Sequence, residues 1–149
     1  MKKLYVVGIG PGRKNGMTAE ADMALRSADV IAGYAKYVDL VRPHYPDKEF
    51  LSTGMTREVE RCRAALELAV SGKTVALVCS GDSGIYGMAG LVYELSAEFP
   101  GAEIVIVAGV TAAASGAASS APVAPRPRAS RAHCSPSPAG PSSSRVRPR

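Results

Sequence analysis

Metal-ligating side chains are scarce in this chain. Its three cysteines, Cys62, Cys79 and Cys134, are an odd count without metal-like spacing, and only His44 and His133 accompany them. Neither a zinc site nor a disulfide framework is expected. Long apolar runs are missing too: no segment approaches the roughly 18 residues of a membrane-spanning helix. Met1-Lys2-Lys3 followed by Leu4-Tyr5-Val6-Val7 has the look of a signal-peptide start. The run stops at Gly8-Ile9-Gly10-Pro11-Gly12, too soon for the apolar core of a signal. A buried first strand and a cytoplasmic location are the expectation. Excess positive charge is confined to one end. The net charge is +5, yet residues 1–118 hold twelve Lys/Arg against thirteen Asp/Glu, a net of −1. The body lacks the basic stripe of a nucleic-acid reader, so neither nucleic acid nor membrane is an expected partner.

What is present is a repeated form. In Val75–Gly90, VALVCSGDSGIYGMAG, a buried apolar run breaks into Ser80-Gly81-Asp82-Ser83-Gly84, and a helical pattern follows from about Ile85. Leu4–Gly12, LYVVGIGPG, and Ile104–Ala112, IVIVAGVTA, share the form. Strand, small-residue turn, helix is how open α/β sheets build ligand sites, because the turn lets backbone amides approach the ligand. Three such ends predict a ligand crevice along one side of the sheet.

The remaining pattern alternates strand and helix. Apolar strands are expected at Leu4–Val7, Asp29–Gly33, Phe50–Leu51, Thr74–Cys79 and Glu103–Val107, without the polar alternation of a half-exposed sheet. Helices are expected from Thr18, an N-cap with Ala21, Ala24 and Leu25 on one face, and over Tyr34–Val41, stopped by Pro43 and Pro46. Thr56–Val70 places Val59, Cys62, Ala65, Leu66 and Ala69 at helical spacing, closed by Ser71-Gly72. Ile85–Phe99 and a helix from Thr111 complete the set. The fold class is α/β, a mainly parallel sheet flanked by helices.

Two nucleotide motifs are approached and missed. In Gly8-Ile9-Gly10-Pro11-Gly12 the third glycine of a dinucleotide fingerprint belongs at Arg13, and Gly33-Tyr34 replaces the acid that would hold a ribose. Gly72-Lys73-Thr74 resembles the end of a P-loop, but Glu67 stands at its first glycine and the triplet opens a strand. Asp82 is read two ways, as acceptor for a ribose or ammonium group and as N-cap of the following helix. Tyr86 is either a stacking surface for a planar ligand or a core tyrosine. Thr111 both caps the last helix and faces the crevice.

LYVVGIGPG, MTAEADMALRSADVIAGYAKYVDLV, TGM at Thr53–Met55, SGDSGIYGMAG and AGVTAAASGAA together resemble the tetrapyrrole (corrin/porphyrin) methylase family. The resemblance runs from Leu4 to Ala118. IAGY-x-x-Y (Ile31–Tyr37), TGM and SGDSGIYGMAG resemble most the members that methylate C17 of a precorrin in cobalamin biosynthesis. Ala108 departs from the pattern, which usually has proline before GVTA. The resemblance implies two α/β domains with S-adenosylmethionine between them and a precorrin or cobalt-precorrin macrocycle in an adjoining trough. It also implies a homodimer of the full-length protein. On matched positions Gly10 and Pro11 belong to the first crevice loop, Gly81, Asp82, Ile85 and Tyr86 line the cofactor, and Thr111 with Ala112 touch it from the last loop. No catalytic nucleophile and no metal ligand are implied.

Composition changes after Ala118. Residues 119–149 hold eight Ser, seven Pro and six Arg, with no acid and no Leu, Ile or Phe. Such a stretch buries too little apolar area to offset its ordering entropy, so residues 119–149 are expected to form a disordered tail beside a domain of residues 1–118. Relatives continue past this point with Leu-Leu-Gly-Ala-Pro and a second domain. In a GC-rich gene CTC-CTC-GGC-GCC encodes Leu-Leu-Gly-Ala, and the frame one nucleotide later reads Ser-Ser-Ala-Pro, as in Ser119–Pro122. An out-of-frame tail and a truncated, inactive methyltransferase are therefore expected. Two other readings stand beside it: a methylase of the same superfamily with another tetrapyrrole substrate, and a noncatalytic module whose Arg-rich tail binds anions.

Overall fold

The computed structural model describes residues 3–120. The expected tail over 121–149 lies outside them. Five strands form one parallel sheet in the order β3-β2-β4-β1-β5. They are β1 (Lys3–Gly8), β2 (Val30–Tyr34), β3 (Glu49–Thr53), β4 (Thr74–Cys79) and β5 (Glu103–Val107). The helices are α1 (Ala19–Ser27), α2 (Ala35–Val41), α3 (Glu58–Val70), α4 (Ala89–Ser96) and α5 (Ala112–Ser120).

Alternation along each strand divides the core into two layers. Leu4, Val6, Val30, Ala32, Val75 and Leu77 point to one face, where Cys62, Leu66 and Ala69 of α3 and Val92 of α4 cover them. Val7, Ile31, Ala76 and Val78 point to the other, against Ala21 and Leu25 of α1 and Val38 and Val41 of α2. Coverage on both faces is why the centres of β1, β2 and β4 are apolar without polar alternation. The edge strand β5 is only half-buried at Ile104–Ile106, and no residue of α5 is buried. Among the described residues no helix is long and apolar enough to cross a membrane.

The start of α1 follows side-chain chemistry. The Thr18 hydroxyl accepts the Ala21 amide at 3.1 Å, as expected of the α1 cap. It also donates to the Ala108 carbonyl at 3.1 Å, tying α1 to the loop after β5. Three expected helices are shorter than their patterns. α2 starts at Ala35 because Tyr34 still pairs with Thr53 across the sheet. α3 starts at Glu58 because Thr56 is left-handed, φ 63°. α4 starts four residues after Ile85 and ends at Ser96. On α3, Val59 is 50% exposed, contrary to the expected apolar stripe, and Arg61 is buried instead.

Candidate active site

The sheet order places β4, β1 and β5 side by side, so their carboxyl-end loops meet on one side of the sheet. The junction is made by backbone. Gly10 and Gly81 exchange two amide–carbonyl bonds, at 3.0 and 2.9 Å, and the Ile9 amide donates to Cys79 O at 2.9 Å. Gly81 takes φ 66°, which favours glycine there. The β5 loop packs without any spacing side chain. A methyl group on Gly109 would lie 2.1 Å from Gly81 O and 2.6 Å from the Gly8 carbonyl carbon. Only glycine permits this approach, and it draws the three loops into one cradle.

Two side chains hold the cradle together. Ser83, fully buried, donates to Val107 O at 2.8 Å. Asp82 uses both carboxylate oxygens. Oδ1 accepts the Gly109 amide at 2.9 Å, and Oδ2 accepts the Gly84 and Ile85 amides at 2.8 and 3.0 Å. These donors, the Gly109 amide foremost, hold its carboxyl below the usual carboxylate range. Accepting these two amides is cap chemistry, yet Asp82 is not the N-cap of α4, which starts at Ala89 after Met88. Tyr86 follows in a left-handed conformation, φ 54°, and a methyl on Gly87 would meet Ser83 O at 2.1 Å. Residues 83–88 therefore run as an extended bend, leaving Ile85 58% exposed and Tyr86 fully so.

Beside the cradle, at the carboxyl ends of β2 and β4, lies a cavity of about 250 Å³. Tyr34, Tyr37, Met55, Arg61, Ser80 and Tyr86 are among its walls. Tyr34 and Tyr37 meet edge to face, centroids 5.2 Å apart. Arg61 is 4% exposed; its Nε donates to Thr53 Oγ1 at 2.7 Å and its Nη2 to Gly54 O at 2.9 Å. The three segments carrying the narrower resemblance thus supply one cavity: Tyr34 and Tyr37 from the first, Met55 from TGM, Tyr86 from SGDSGIYGMAG.

Four expected site residues meet directly. A methyl on Gly81 would touch Ala112 N and Thr111 Cα at 3.5 and 3.6 Å, and one on Gly10 would touch Val110 at 3.7 Å. Asp82 joins them through Gly109. Thr111 Oγ1 accepts the Ala114 amide at 3.2 Å, the cap expected of it. Pro11 is exposed and sits against Gly16. The Ile85 side chain projects outward, and Tyr86 lines the neighbouring cavity. Neither makes the core contact open to Tyr86. Sequence reasoning missed Gly8 and Gly109, whose role is a long-range approach, and Ser83. It also missed Arg61, although 61, 62, 65, 66 and 69 form one helical stripe in which a lone arginine stands out.

An open parallel sheet whose carboxyl-end loops meet on one side is the architecture on which α/β proteins build ligand sites. The model of the Tetrapyrrole (Corrin/Porphyrin) Methylases matches residues 3–147, and the chain belongs to that family. It is 52% identical over 110 residues to a probable cobalt-factor III C(17)-methyltransferase of Salmonella typhimurium, covering 73% of this chain and 46% of that protein. The crystal structure of the methyltransferase CobJ superposes with a TM-score of 0.72 at 39% identity, over 78% of this chain and 49% of that one. The uroporphyrin-III C-methyl transferase of Thermus thermophilus, complexed with S-adenyl homocysteine, superposes with a TM-score of 0.62 at 26% identity, over 84% and 54%. The chain thus spans about half the length of the relatives it matches.

Proposed function

We propose that this chain carries the cofactor-binding half of a methyltransferase that moves a methyl group from S-adenosylmethionine to C17 of a precorrin or cobalt-precorrin in cobalamin biosynthesis. The observation that supports it most is the junction of three loops, where Gly8, Gly81 and Gly109 approach so closely that one added methyl would force the loops apart. A site walled by backbone fits a ligand recognised through its amides and carbonyls. In this reading Gly10, Pro11, Gly81 and Asp82 shape the floor, Thr111 and Ala112 the far side, and Ile85 and Tyr86 the rim. The bound cofactor supplies an electrophilic methyl group on sulfonium sulfur, taken by a nucleophilic ring carbon. The residues' part is alignment and exclusion of water, and no activated side chain is needed. The aromatic cavity beside the rim is where a flat macrocycle edge would rest. The resemblance is also the support for a cytoplasmic homodimer of the longer protein.

Titration calorimetry with S-adenosylhomocysteine tests the reading. Saturable one-to-one binding, displaced by S-adenosylmethionine and absent with NAD⁺, is expected; equal binding of NAD⁺, or none of either, refutes it. The shift of composition after Ala118 belongs to the same proposal, as a reading-frame change. Resequencing codons 110–130 should reveal Leu-Leu-Gly-Ala-Pro in an adjacent frame, and an adjacent frame without it counts against the proposal.

A further inference from the structure

We propose that Arg61 is the anchor for a carboxylate side chain of the macrocycle, received in the cavity between Tyr34 and Tyr86. The identity of the ligand rests on the methyltransferase reading; the anion site rests on the geometry alone. A buried guanidinium is retained at a cost unless its charge is answered. Arg61 is 4% exposed, yet among the described residues no carboxylate lies within 4.0 Å of it. Its hydrogen-bond partners, Thr53 Oγ1 and Gly54 O, are neutral and occupy Nε and Nη2. Nη1 has no acceptor among the described residues, so part of the fork is left to answer a ligand.

The surroundings select the anion. The guanidinium lies 5.8 Å from the Tyr34 ring centroid, and Tyr37, Tyr86, Met55 and Met88 share the lining with Ser80 and Glu58. A phosphate is met by several amides or cations; here one planar fork stands beside the Tyr34 ring, a setting for bidentate carboxylate recognition next to a conjugated ring. At about 250 Å³ the cavity is too small to enclose a macrocycle, given that sites enclosing drug-sized ligands run about 300–1,000 Å³. It admits a side chain and one ring edge. Glu58, exposed on the same wall, is the competing carboxylate and disfavours an incoming one.

The test uses the 149-residue protein and two probes, uroporphyrin III, whose rim carries carboxylates, and its peramide, followed by the Soret band. S-adenosylhomocysteine is titrated separately by calorimetry. The wild type should bind the acid about tenfold or more tightly than the amide, the value of a charge-assisted pair. Arg61→Gln should erase that preference, and Glu58→Gln should tighten the acid about two- to threefold. Equal binding of acid and amide, binding of neither, or a folded Arg61→Gln that keeps the preference overturns the proposal. If Arg61→Gln does not fold, Glu58→Gln decides, and an affinity unchanged or weakened overturns it. These failures with S-adenosylhomocysteine binding intact leave the methyltransferase reading standing. Carboxylate preference without S-adenosylhomocysteine binding leaves the anion site and removes the methyltransferase.

Discussion

Replacing Asp82 with alanine separates the clamp from the ligand role. The change removes three charge-assisted acceptor contacts, to the amides of Gly109, Gly84 and Ile85. The Gly84 and Ile85 amides are exposed and regain water, so each loses about 0.5 kcal/mol or less. The Gly109 amide is partly buried between Gly81 and Gly8, where a lost partner costs about 1–2 kcal/mol. The sum is about 2 kcal/mol, a fall in Tm of about 8 °C for an ordered part of this size. Circular dichroism melts at pH 7 read this directly. Asp82→Asn keeps one carbonyl acceptor and should recover about half. The pH dependence has a definite sign. The folded-state carboxyl is held below its ordinary value by the Gly109, Gly84 and Ile85 amides, so its contribution is present above the unfolded value near pH 4 and lost as pH falls through the folded one. The gap between wild type and Asp82→Ala should therefore narrow below about pH 4. A variant as stable as wild type that binds S-adenosylhomocysteine more weakly would refute the clamp and make Asp82 a ligand group.

Gly109→Ala should be the costlier change, about 3 kcal/mol or more, because its methyl meets backbone at 2.1 Å rather than a side chain that can move; denaturant melts measure it. Tyr45→Phe should cost about 1–1.5 kcal/mol, since the buried hydroxyl donates to Asp22 at 2.6 Å and accepts from Lys14 at 2.6 Å. The contacts from Lys14, Tyr45 and Arg26 hold the Asp22 carboxyl well below the usual range. That stability persists above about pH 4 and is lost as pH falls through the folded value. Burial pushes the Cys62 thiol up to about 12 and that of Cys79 to about 11. Iodoacetamide at pH 8 should leave both unlabelled in the native protein and label them in guanidinium, as read by peptide mass spectrometry.

The parts of the fold legible in the sequence were those fixed by local chemistry. Thr74–Cys79 and Glu103–Val107 were bounded by turn residues and have the expected limits, and Thr18 caps α1 as its position required. The strand order was not legible, because it is set by pairing between distant segments. Ile85–Phe99 reads as a continuous amphipathic helix, yet its first turn is absent because Tyr86 is left-handed, φ 54°, and α4 starts only at Ala89. For the candidate site, the sequence marked the three loops that meet but not the close approach of Gly8 and Gly109, since only the packing of distant loops makes a side chain intolerable there. Val59 and Arg61 exchanged places for a related reason: Thr53 and Gly54 offer the guanidinium acceptors that no helical pattern records.

The account stands or falls on whether the three-loop cradle binds the cofactor. ¹⁵N–¹H correlation spectra of the labelled protein, titrated with S-adenosylhomocysteine, test this most directly. The account predicts saturable shifts concentrated at the amides of Gly10, Gly81, Tyr86, Gly109 and Ala112. An unchanged spectrum, or shifts confined to residues away from the carboxyl ends of β1, β4 and β5, would contradict it.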